Sequence, residues 1–382
     1  MAAAKSIDVS TLSTYFESLS DPRHTRNRKH LLVDVVVVAM CAILVGMDGP
    51  TAIHRWAKGH STWLATFLRL PNGLPSRDCI RRLLIVLKPE AFQKCFQAWI
   101  SQAVDVDVTH GRRLVAIDGK CCRSSHDSSK GLGALHLVSA WASENGIALG
   151  QIATEDKSNE ITAIPHVLDL IDLAKSIVTI DAIGCQKAIV EQIDEAGGAY
   201  VIAVKDNQPT LHEAIREFIG QRLDGEYDDL RYRAYETTDE GHGRLDERSY
   251  GVMKIPKNFS LRADWPSLKA VGYATRFTVH NDGTETSDTR FYILNRQLTG
   301  QRFAEAVRGH WSIEAMHWVL DVNFREDEHP TAERTLANNL SWMRRFAITL
   351  LKRKQTKNES LRGLMQMACW DTDFLEQVLT GT

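Results

Sequence analysis

The chain has 382 residues, of which 43% are hydrophobic and 25% charged, a composition typical of a globular protein long enough for two or three domains. Its 46 basic and 48 acidic residues give a formal charge of -2, so any contact with nucleic acid must come from local basic patches. The seven cysteines show no paired C-x-x-C spacing, which argues against a zinc site and a disulfide framework and favours a reducing cytoplasm.

Residues 1–105 are predicted to form a compact, largely helical unit. The first thirty residues lack the apolar core of a signal peptide. The apolar run Leu31–Val45 contains Asp34 and falls short of the roughly 20 residues of a membrane-spanning helix, so it predicts a buried core helix and no membrane span. Pro75-Ser76-Arg77-Asp78 predicts the start of a further helix with a Ser or Asp cap.

A basic cluster follows the turn at Asp21-Pro22. Contact with DNA phosphates and a solvated linker before the first core helix explain this composition equally well. No residue in this region shows a catalytic pattern. The cluster consists of Arg23, His24, Arg26, Arg28, Lys29 and His30.

Three acidic residues stand where an active site is expected. Leu114–Asp118 is predicted to be a buried strand that ends in an aspartate followed by Gly119, and residues 176–181 form a second apolar strand that ends in Asp181. Trp311-Ser312-Ile313-Glu314 is predicted to open a helix that carries Glu314. Two strand-end aspartates and a helical glutamate suit a site that holds divalent metal ions against phosphate.

Strands and helices alternate between residues 112 and 205. The predicted elements are strand Leu114–Asp118, a hairpin of strands Leu135–Trp141 and Ile147–Ala153, a helix from Ser158 or Asn159 to about Ile171, strand Ile177–Asp181, a helix near Gln186–Glu195 and strand Ala199–Lys205. This order is expected of a ribonuclease-H-like α/β sheet. A right-handed crossover sets the strand of Asp181 beside the strand of Asp118, so the two carboxylates are expected to meet.

Residues 207 to about 300 interrupt this alternation. Segments of alternating polarity predict a small β-rich insertion, with strands at Leu230–Thr238, Arg244–Met253, Ala270–Val279 and Arg290–Leu294. Helix returns at about Thr299–Arg308. Trp265, which precedes a proline in the insertion, has two interpretations, packing and stacking on an extruded base, and packing is favoured.

Motifs that follow one another along nearly the whole chain resemble those of a known family. The chain resembles bacterial insertion-sequence DDE transposases, in the branch that includes the H-repeat-associated proteins. The stretches that carry the resemblance are Asp21-Pro22-Arg23, Ala116-Ile117-Asp118-Gly119-Lys120 with Arg123, Lys157-Ser158-Asn159-Glu160-Ile161, Thr179-Ile180-Asp181-Ala182, Val204-Lys205-Asp206-Asn207-Gln208, Gly241-His242-Gly243-Arg244, His310-Trp311-Ser312-Ile313-Glu314, His317-Trp318, Leu320-Asp321-Val322 and Phe324-Arg325-Glu326-Asp327.

The resemblance implies a ribonuclease-H-like catalytic core over residues 106–350, interrupted by the β-rich insertion at about 207–300. A helical N-terminal transposase-associated domain over residues 1–105 and a helical tail over residues 351–382 complete the expected fold. It also implies that Asp118, Asp181 and Glu314 are both the catalytic residues and the ligands of Mg²⁺ or Mn²⁺, with two ions in the site.

The activity that the resemblance implies is metal-dependent cleavage of double-stranded DNA at the terminal inverted repeats of an insertion sequence, followed by strand transfer to target DNA. The expected enzyme is cytoplasmic and is associated with the nucleoid when it is bound to DNA. It is expected to act as a homodimer on DNA, because two element ends must be held beside one target.

The helix around Glu314 is predicted to have a polar face. At about 3.6 residues per turn, the acid shares this face with His310, His317 and Asp321, and two tryptophans, Trp311 and Trp318, flank it. An active-site helix and a solvated helix with two core tryptophans both produce such a pattern, and the two aspartates favour the first. The wider group of related transposases has an arginine four residues before the glutamate and a lysine seven residues after it, where this chain has His310 and Asp321.

A set of basic and histidine side chains is predicted to contact DNA, and an ordinary solvated residue explains Lys120, Arg123, Lys205, Arg344 and Arg345 equally well. The set comprises Lys120, Arg123, Lys205, Arg244, His310, His317, Arg344 and Arg345. Two alternatives to a transposase remain open from the sequence. One is another two-metal DNA nuclease of the same fold, and the other is a catalytically silent DNA-binding relative.

Overall fold

The computed structural model describes residues 9–103, 112–154, 160–225, 232–241 and 244–381. The N-terminal helices of this part of the chain are α1 (Leu32–Leu44), α2 (Pro50–Gly59), α3 (Ser61–Leu64), α4 (Arg77–Val86) and α5 (Pro89–Ala103). The remaining helices are α6 (Glu160–Leu168), α7 (Lys187–Glu195), α8 (Pro209–Leu223), α9 (Gly300–Val322), α10 (Arg334–Lys354), α11 (Leu361–Trp370) and α12 (Thr372–Thr380).

Helix α1 confirms the predicted core helix. Nearly all of its side chains are buried, and it contains the acid Asp34, which accepts a hydrogen bond from the backbone N–H of Leu70 at 2.9 Å. That bond satisfies a polar group that would otherwise be buried at a cost. Among the described residues, no helix combines the length and the apolar character needed to cross a membrane. The predicted cap of α4 is also confirmed, because Ser76 accepts a hydrogen bond from the N–H of Cys79.

One sheet of nine strands forms the centre of the molecule. The strands are β1 (Arg113–Cys122), β2 (Leu135–Ala142), β3 (Ile147–Thr154), β4 (Ser176–Ile180), β5 (Ala199–Val204), β6 (Tyr232–Gly241), β7 (Arg244–Lys254), β8 (Ala270–His280) and β9 (Glu285–Leu294). Their spatial order is β3-β2-β1-β4-β5-β9-β8-β7-β6, in which β1, β4 and β5 are mutually parallel and the other pairs are antiparallel.

The predicted insertion does contain four strands, but they extend the central sheet. Strand β9 pairs with β5 from Val201↔Leu294 to Val204↔Phe291, and β8, β7 and β6 follow outward. Helix α8 precedes these strands and differs from the prediction of a β-rich region, although its buried residues Leu211, Ile215 and Ile219 recur at helical spacing. Helix α6 ends at Leu168, earlier than expected, and its predicted caps Ser158 and Asn159 lie outside the described residues.

Three further elements differ from the sequence interpretation. Strand β1 does not end at Asp118 but continues to Cys122, because antiparallel pairing with β2 runs on to Cys122↔Leu135. Glu314 does not lie at the opening of a helix, since α9 is a single helix of 23 residues that begins after the cap Thr299. Helix α10 also runs across position 351, where the C-terminal tail was expected to begin.

The two faces of the sheet pack against different helices. Ala116 of β1 belongs to a core shared with α9 and the N-terminal helices, whereas Val115 and Ile117 belong to a core shared with α6 and α7. Because side chains alternate along a strand, Asp118 lies on the α9 face and Gly119 on the α6 face. This alternation determines which helices can reach the candidate site.

Candidate active site

Asp118 and Asp181 lie on neighbouring strands, as predicted. The parallel pairing of β1 with β4 ends at Ile117↔Ile180, and an aspartate follows at the next position of each strand. Asp181 leaves the sheet and caps a short helical turn by accepting a hydrogen bond from the N–H of Ile183 at 3.1 Å. The register of the parallel pair therefore brings the two carboxylates to one edge of the sheet.

The electrostatics of Asp118 show that acidic side chains surround it. Burial, followed by the negative charges of Asp181, Glu160 and Glu314, raises the pKa of Asp118 to about 7, against the opposing effect of a hydrogen bond from the N–H of Gly119. Burial is the main cause of the raised pKa, and the three neighbouring carboxylates add to it. A bound cation would offset both effects.

The polar face of α9 is turned toward the sheet. His310 Nδ1 lies 3.1 Å from Thr179 Oγ1 of β4, and His317 Nδ1 lies 3.5 Å from Asp118 Oδ2. Burial, helped by the charge of Arg290, lowers the pKa of His310 to about 4, and burial with the charges of Arg345 and Lys120 lowers that of His317 to about 3. Both imidazoles are therefore neutral at pH 7 and act within the protein. They do not present cationic groups to DNA.

The two tryptophans of α9 are not core residues. Trp311 is 42% exposed and Trp318 is 61% exposed, so the alternative of a solvated helix with two buried tryptophans is wrong. The guanidinium of Arg290, on β9, lies 5.7 Å from the centroid of the Trp311 ring. An exposed aromatic surface with a neighbouring cation therefore flanks Glu314.

Lys120 is buried and ion-paired. Its Nζ lies 2.7 Å from Asp321, 3.1 Å from Asp327 and 3.7 Å from Glu326, which follow one another at and after the end of α9. Although burial opposes it, the charges of Glu326 and Asp321 raise the pKa of Lys120, so the amine stays charged. Lys120 therefore joins β1 to the end of the helix that carries Glu314, and its amine is not exposed to a phosphate.

Arg344 and Arg345 occupy the same buried cluster, contrary to the prediction that they form a DNA-binding surface. Arg344 is 4% exposed and Arg345 is fully buried, at 3.4 Å and 3.7 Å from Glu326. The positive charges of these two arginines and of Lys120 lower the pKa of Glu326 to about 2, although burial alone would raise it. The basic run of α10 looked like a surface in the sequence because nothing there indicated that Glu326 faces it.

The other predicted DNA contacts lie nearer the surface. Lys205 is exposed and directly follows β5, and the neighbouring Asn207 donates a hydrogen bond to the carbonyl of Ala182, next to Asp181. The side chain of Arg123 is 83% exposed and lies 3.4 Å from Asp327. Arg244 is half-exposed on β7, in the insertion, where it pairs with Asp246 at 3.3 Å.

Part of the N-terminal basic cluster is structural. Arg23 donates two hydrogen bonds to the carboxylate of Asp21, and Arg28 donates to the backbone carbonyls of Arg23 and Asp21. Within the cluster, Arg26 and Lys29 are exposed.

Trp265 is buried at 3% exposure, which confirms packing and excludes base stacking in this conformation.

Comparison with known proteins decides the family. The family described as "Transposase DDE domain" matches residues 109–351, and the family described as "DDE_Tnp_1-associated" matches residues 13–100. The chain belongs to the DDE transposase family. This confirms the resemblance recognised in the sequence and does not favour the nuclease or silent-relative alternatives.

Relatives of this transposase cover nearly its full length. It is 34% identical over 379 residues to "Putative transposase YncI" of Escherichia coli O157:H7, covering 98% of this chain and 96% of that protein. It is 33% identical over 381 residues to "H repeat-associated putative transposase YhhI" of Escherichia coli strain K12, covering 98% and 99%. The cryo-EM structure of a piggyBac transposase synaptic complex with hairpin DNA aligns with a TM-score of 0.39 at 10% identity over 97% of this chain and 78% of that one, too distant to support an argument.

The acidic residues of the transposase suit a hard cation. Within the described ranges, no three His, Cys, Asp or Glu side chains are arranged closely enough to form a complete ligand set. The three side chains whose negative charges add to the effect of burial on the pKa of Asp118 are nevertheless carboxylates, the ligand type that Mg²⁺ and Mn²⁺ prefer, and His317 Nδ1 lies 3.5 Å from Asp118 Oδ2 beside them. A divalent cation therefore fits the chemistry of this edge of the sheet.

Sequence reasoning missed two residues next to the site. Glu160, at the start of α6, contributes to the field at Asp118, and His136 of β2 contacts Glu160. Glu160 lies in one of the stretches that carried the family resemblance, and this was the available signal. Nothing in that stretch shows that Glu160 packs against β1 at Gly119.

Proposed function

We propose that this transposase cleaves DNA at the ends of an insertion sequence and joins the released 3′ ends to target DNA. The observation that carries the proposal is the acidic environment of Asp118, in which burial and the charges of Asp181, Glu160 and Glu314 raise the pKa to about 7. Strand transfer at phosphodiesters requires such a collection of carboxylates, because metal ions must be held against a polyanionic substrate.

The catalytic core is proposed to be ribonuclease-H-like. The support is the order of its five core strands, β3-β2-β1-β4-β5, with β2 antiparallel to β1 and with β4 and β5 parallel to it. In open α/β sheets, ligands bind outside the carboxyl ends of parallel strands. Asp118 lies where the parallel pairing of β1 with β4 ends, and Asp181 directly follows the carboxyl end of β4.

Asp118, Asp181 and Glu314 are the residues that would hold Mg²⁺ or Mn²⁺, two ions in all. When bound, such ions activate water or a 3′-hydroxyl as the nucleophile and stabilise the leaving oxygen. Asp118 feels the charge of both other acids and would help each of them to hold an ion.

The chain's own residues then keep these acids in position. His310 holds α9 to β4 through Thr179, and His317 lies against Asp118 Oδ2. Lys120, through Asp321 and Asp327, holds the far end of the same helix to β1. Together these contacts fix the helix that carries Glu314 relative to the two aspartates, so that little rearrangement is needed when DNA binds.

Double-stranded DNA, in the form of element ends and target, is the proposed partner. Lys205 and Arg123 are exposed near the acidic residues and supply phosphate contacts, and Trp311 with Arg290 offers a surface on which a base can stack. The transposase is proposed to work in the cytoplasm, on the nucleoid, as a homodimer in which each chain binds one end.

A strand-transfer assay tests this function. Purified protein, a DNA fragment with the element's own end and a supercoiled target plasmid are combined with Mg²⁺, with and without EDTA. Wild type is expected to join the end to the plasmid, whereas Asp118→Asn, Asp181→Asn and Glu314→Gln are expected to bind the end without joining it. Joining in excess EDTA, or by any of the three variants at the wild-type rate, would refute the proposal.

The dimer is tested by mixing. If catalysis requires two competent chains on paired ends, adding Asp118→Asn protein to wild type depresses paired-end joining more steeply than dilution with buffer. Joining that falls only in proportion to the inactive fraction, from complexes with one chain per end pair, would argue for independent monomers.

A further inference from the structure

Glu160 approaches the active site from the opposite face of the sheet. It is the first residue of α6, it is 7% exposed, and its carboxylate contacts Nε2 of His136, which is 3% exposed on β2. Neither residue belongs to the three acids that the family resemblance implies. A buried carboxylate this close to Asp118 therefore needs a separate explanation.

Gly119 is what lets Glu160 come so near. A Cβ built at Gly119 would lie 2.6 Å from His136 Nε2 and 2.7 Å from the carboxyl carbon of Glu160, closer than such atoms approach in proteins. Gly119 does not need a left-handed backbone, so the requirement is space alone. The missing side chain leaves a gap in β1, directly beside Asp118, and the Glu160 carboxylate fills it.

The contact with His136 orients the Glu160 carboxylate. When Nε2 carries the proton, His136 donates to one carboxylate oxygen and leaves the other oxygen to serve a different partner. His136 Nδ1 is buried and has no hydrogen-bond partner among the described residues, which suits an imidazole whose proton is on Nε2. The negative charge of Glu160 is felt at Asp118 together with the charges of Asp181 and Glu314.

We propose that Glu160 is a fourth acidic residue of the active site, which approaches the backbone of β1 at Gly119, next to Asp118, shares a divalent cation with Asp118 and is oriented by His136. The inference rests on the proposed function, because it assumes that Asp118 holds a cation. It differs from a structural role, in which Glu160 would stabilise the first turn of α6 and need only its hydrogen bond with His136. A variant that removes the charge of Glu160 and keeps the shape of its side chain distinguishes the two roles.

The experiment measures Mn²⁺ binding to the full chain by electron paramagnetic resonance, in which free Mn²⁺ gives the signal. Glu160→Gln keeps the size and the hydrogen bond but loses the charge, and Glu191→Gln, at an exposed position on α7, is the matched control. Glu160→Gln is expected to weaken the binding of one Mn²⁺ by about tenfold or more, while the control binds as wild type. His136→Gln is expected to weaken it by about 10- to 100-fold through loss of orientation.

A second variant keeps every carboxylate and closes the gap. Gly119→Ala is expected to displace Glu160 and weaken Mn²⁺ binding as Glu160→Gln does. Gly133→Ala, where an added Cβ meets nothing within 4 Å, is the control for a glycine replaced by alanine. Circular dichroism and urea unfolding of each variant confirm that the comparison is between folded proteins, and Gly119→Ala provides the test if Glu160→Gln does not fold.

Asp118→Asn distinguishes failure of this inference from failure of the proposed function. If Asp118→Asn loses Mn²⁺ binding while Glu160→Gln and Gly119→Ala bind as wild type, the fourth acid is refuted and the three-acid site stands. If all three variants, Asp118→Asn included, bind Mn²⁺ as wild type does, the proposed metal site itself is wrong. Selective weakening in Glu160→Gln and Gly119→Ala, with both controls unchanged, supports the inference.

Discussion

Replacing Glu326 with glutamine removes a buried carboxylate that faces three cations. Arg344, Arg345 and Lys120 lie 3.4, 3.7 and 3.7 Å from it, and its side chain is 1% exposed. Glu326→Gln keeps the volume and leaves these cations without their shared partner. Uncompensated buried charge of this kind typically costs about 3–5 kcal/mol in the free energy of unfolding.

The pKa of Glu326 gives an independent magnitude. A fall from the usual 4.5 to about 2 corresponds to about 3 kcal/mol of stabilisation of the folded state. Because the folded-state pKa lies below the unfolded value, this stabilisation is present above pH 4.5 and is lost as the pH falls toward 2. Both routes therefore predict a loss of about 3 kcal/mol or more at pH 7.

Urea unfolding followed by tryptophan fluorescence measures this loss at pH 7 and at pH 3. Glu213→Gln is the control, because this exposed acid pairs with Arg216 at 2.6 Å on the surface of α8 and is expected to change stability by less than about 1 kcal/mol. The deficit of Glu326→Gln is expected to shrink between pH 7 and pH 3. A deficit below about 1 kcal/mol at pH 7, or one that does not depend on pH, would refute a stabilising role for the buried cluster.

Three other predictions concern the acids and the exposed face. Burial and neighbouring carboxylates raise the pKa of Asp118 from 3.8 to about 7, so ionisation of Asp118 destabilises the metal-free fold as the pH rises through this window. The free energy of unfolding of Asp118→Asn, measured in urea, should exceed that of wild type by up to about 4 kcal/mol at pH 8 and should equal it near pH 4. An equal gain at both pH values would show that ionisation of Asp118 is not the cause. Lys205→Gln and Arg123→Gln should each flatten the salt dependence of DNA-end binding by about one unit of slope without loss of stability, and unchanged slopes would assign the phosphate contacts elsewhere. Trp311→Ala should weaken end binding by about 1–3 kcal/mol and Trp311→Phe by less, measured by fluorescence anisotropy, whereas equal affinities would exclude stacking at this position.

The central arrangement of the site could be predicted from the sequence because local patterns determine it. An apolar run that ends in an acid indicates where a parallel strand meets the sheet edge. Two such runs, connected through a hairpin and a crossover helix, place Asp118 beside Asp181. Helical periodicity likewise placed His310 and His317 on the face of Glu314, and the structure turns that face toward the sheet.

The remaining features depend on contacts between distant parts of the chain. The sequence predicts a basic surface at Arg344 and Arg345, because periodicity does not show that Glu326 packs against them. Strand β1 extends beyond Asp118 because its pairing with β2 determines its length. The insertion joins the central sheet because β9 pairs with β5. Glu160 was missed because the gap at Gly119 exists only when α6 is packed behind β1.

Anomalous diffraction from crystals soaked in Mn²⁺ with a bound element end tests the central claim most directly. The account predicts two Mn²⁺ peaks, both within about 2.0–2.6 Å of Asp118 oxygens, one also coordinated by Asp181 and the other by Glu314. Peaks that lie away from these three carboxylates, or a DNA-bound complex whose peaks persist unchanged in Asp118→Asn, would contradict it.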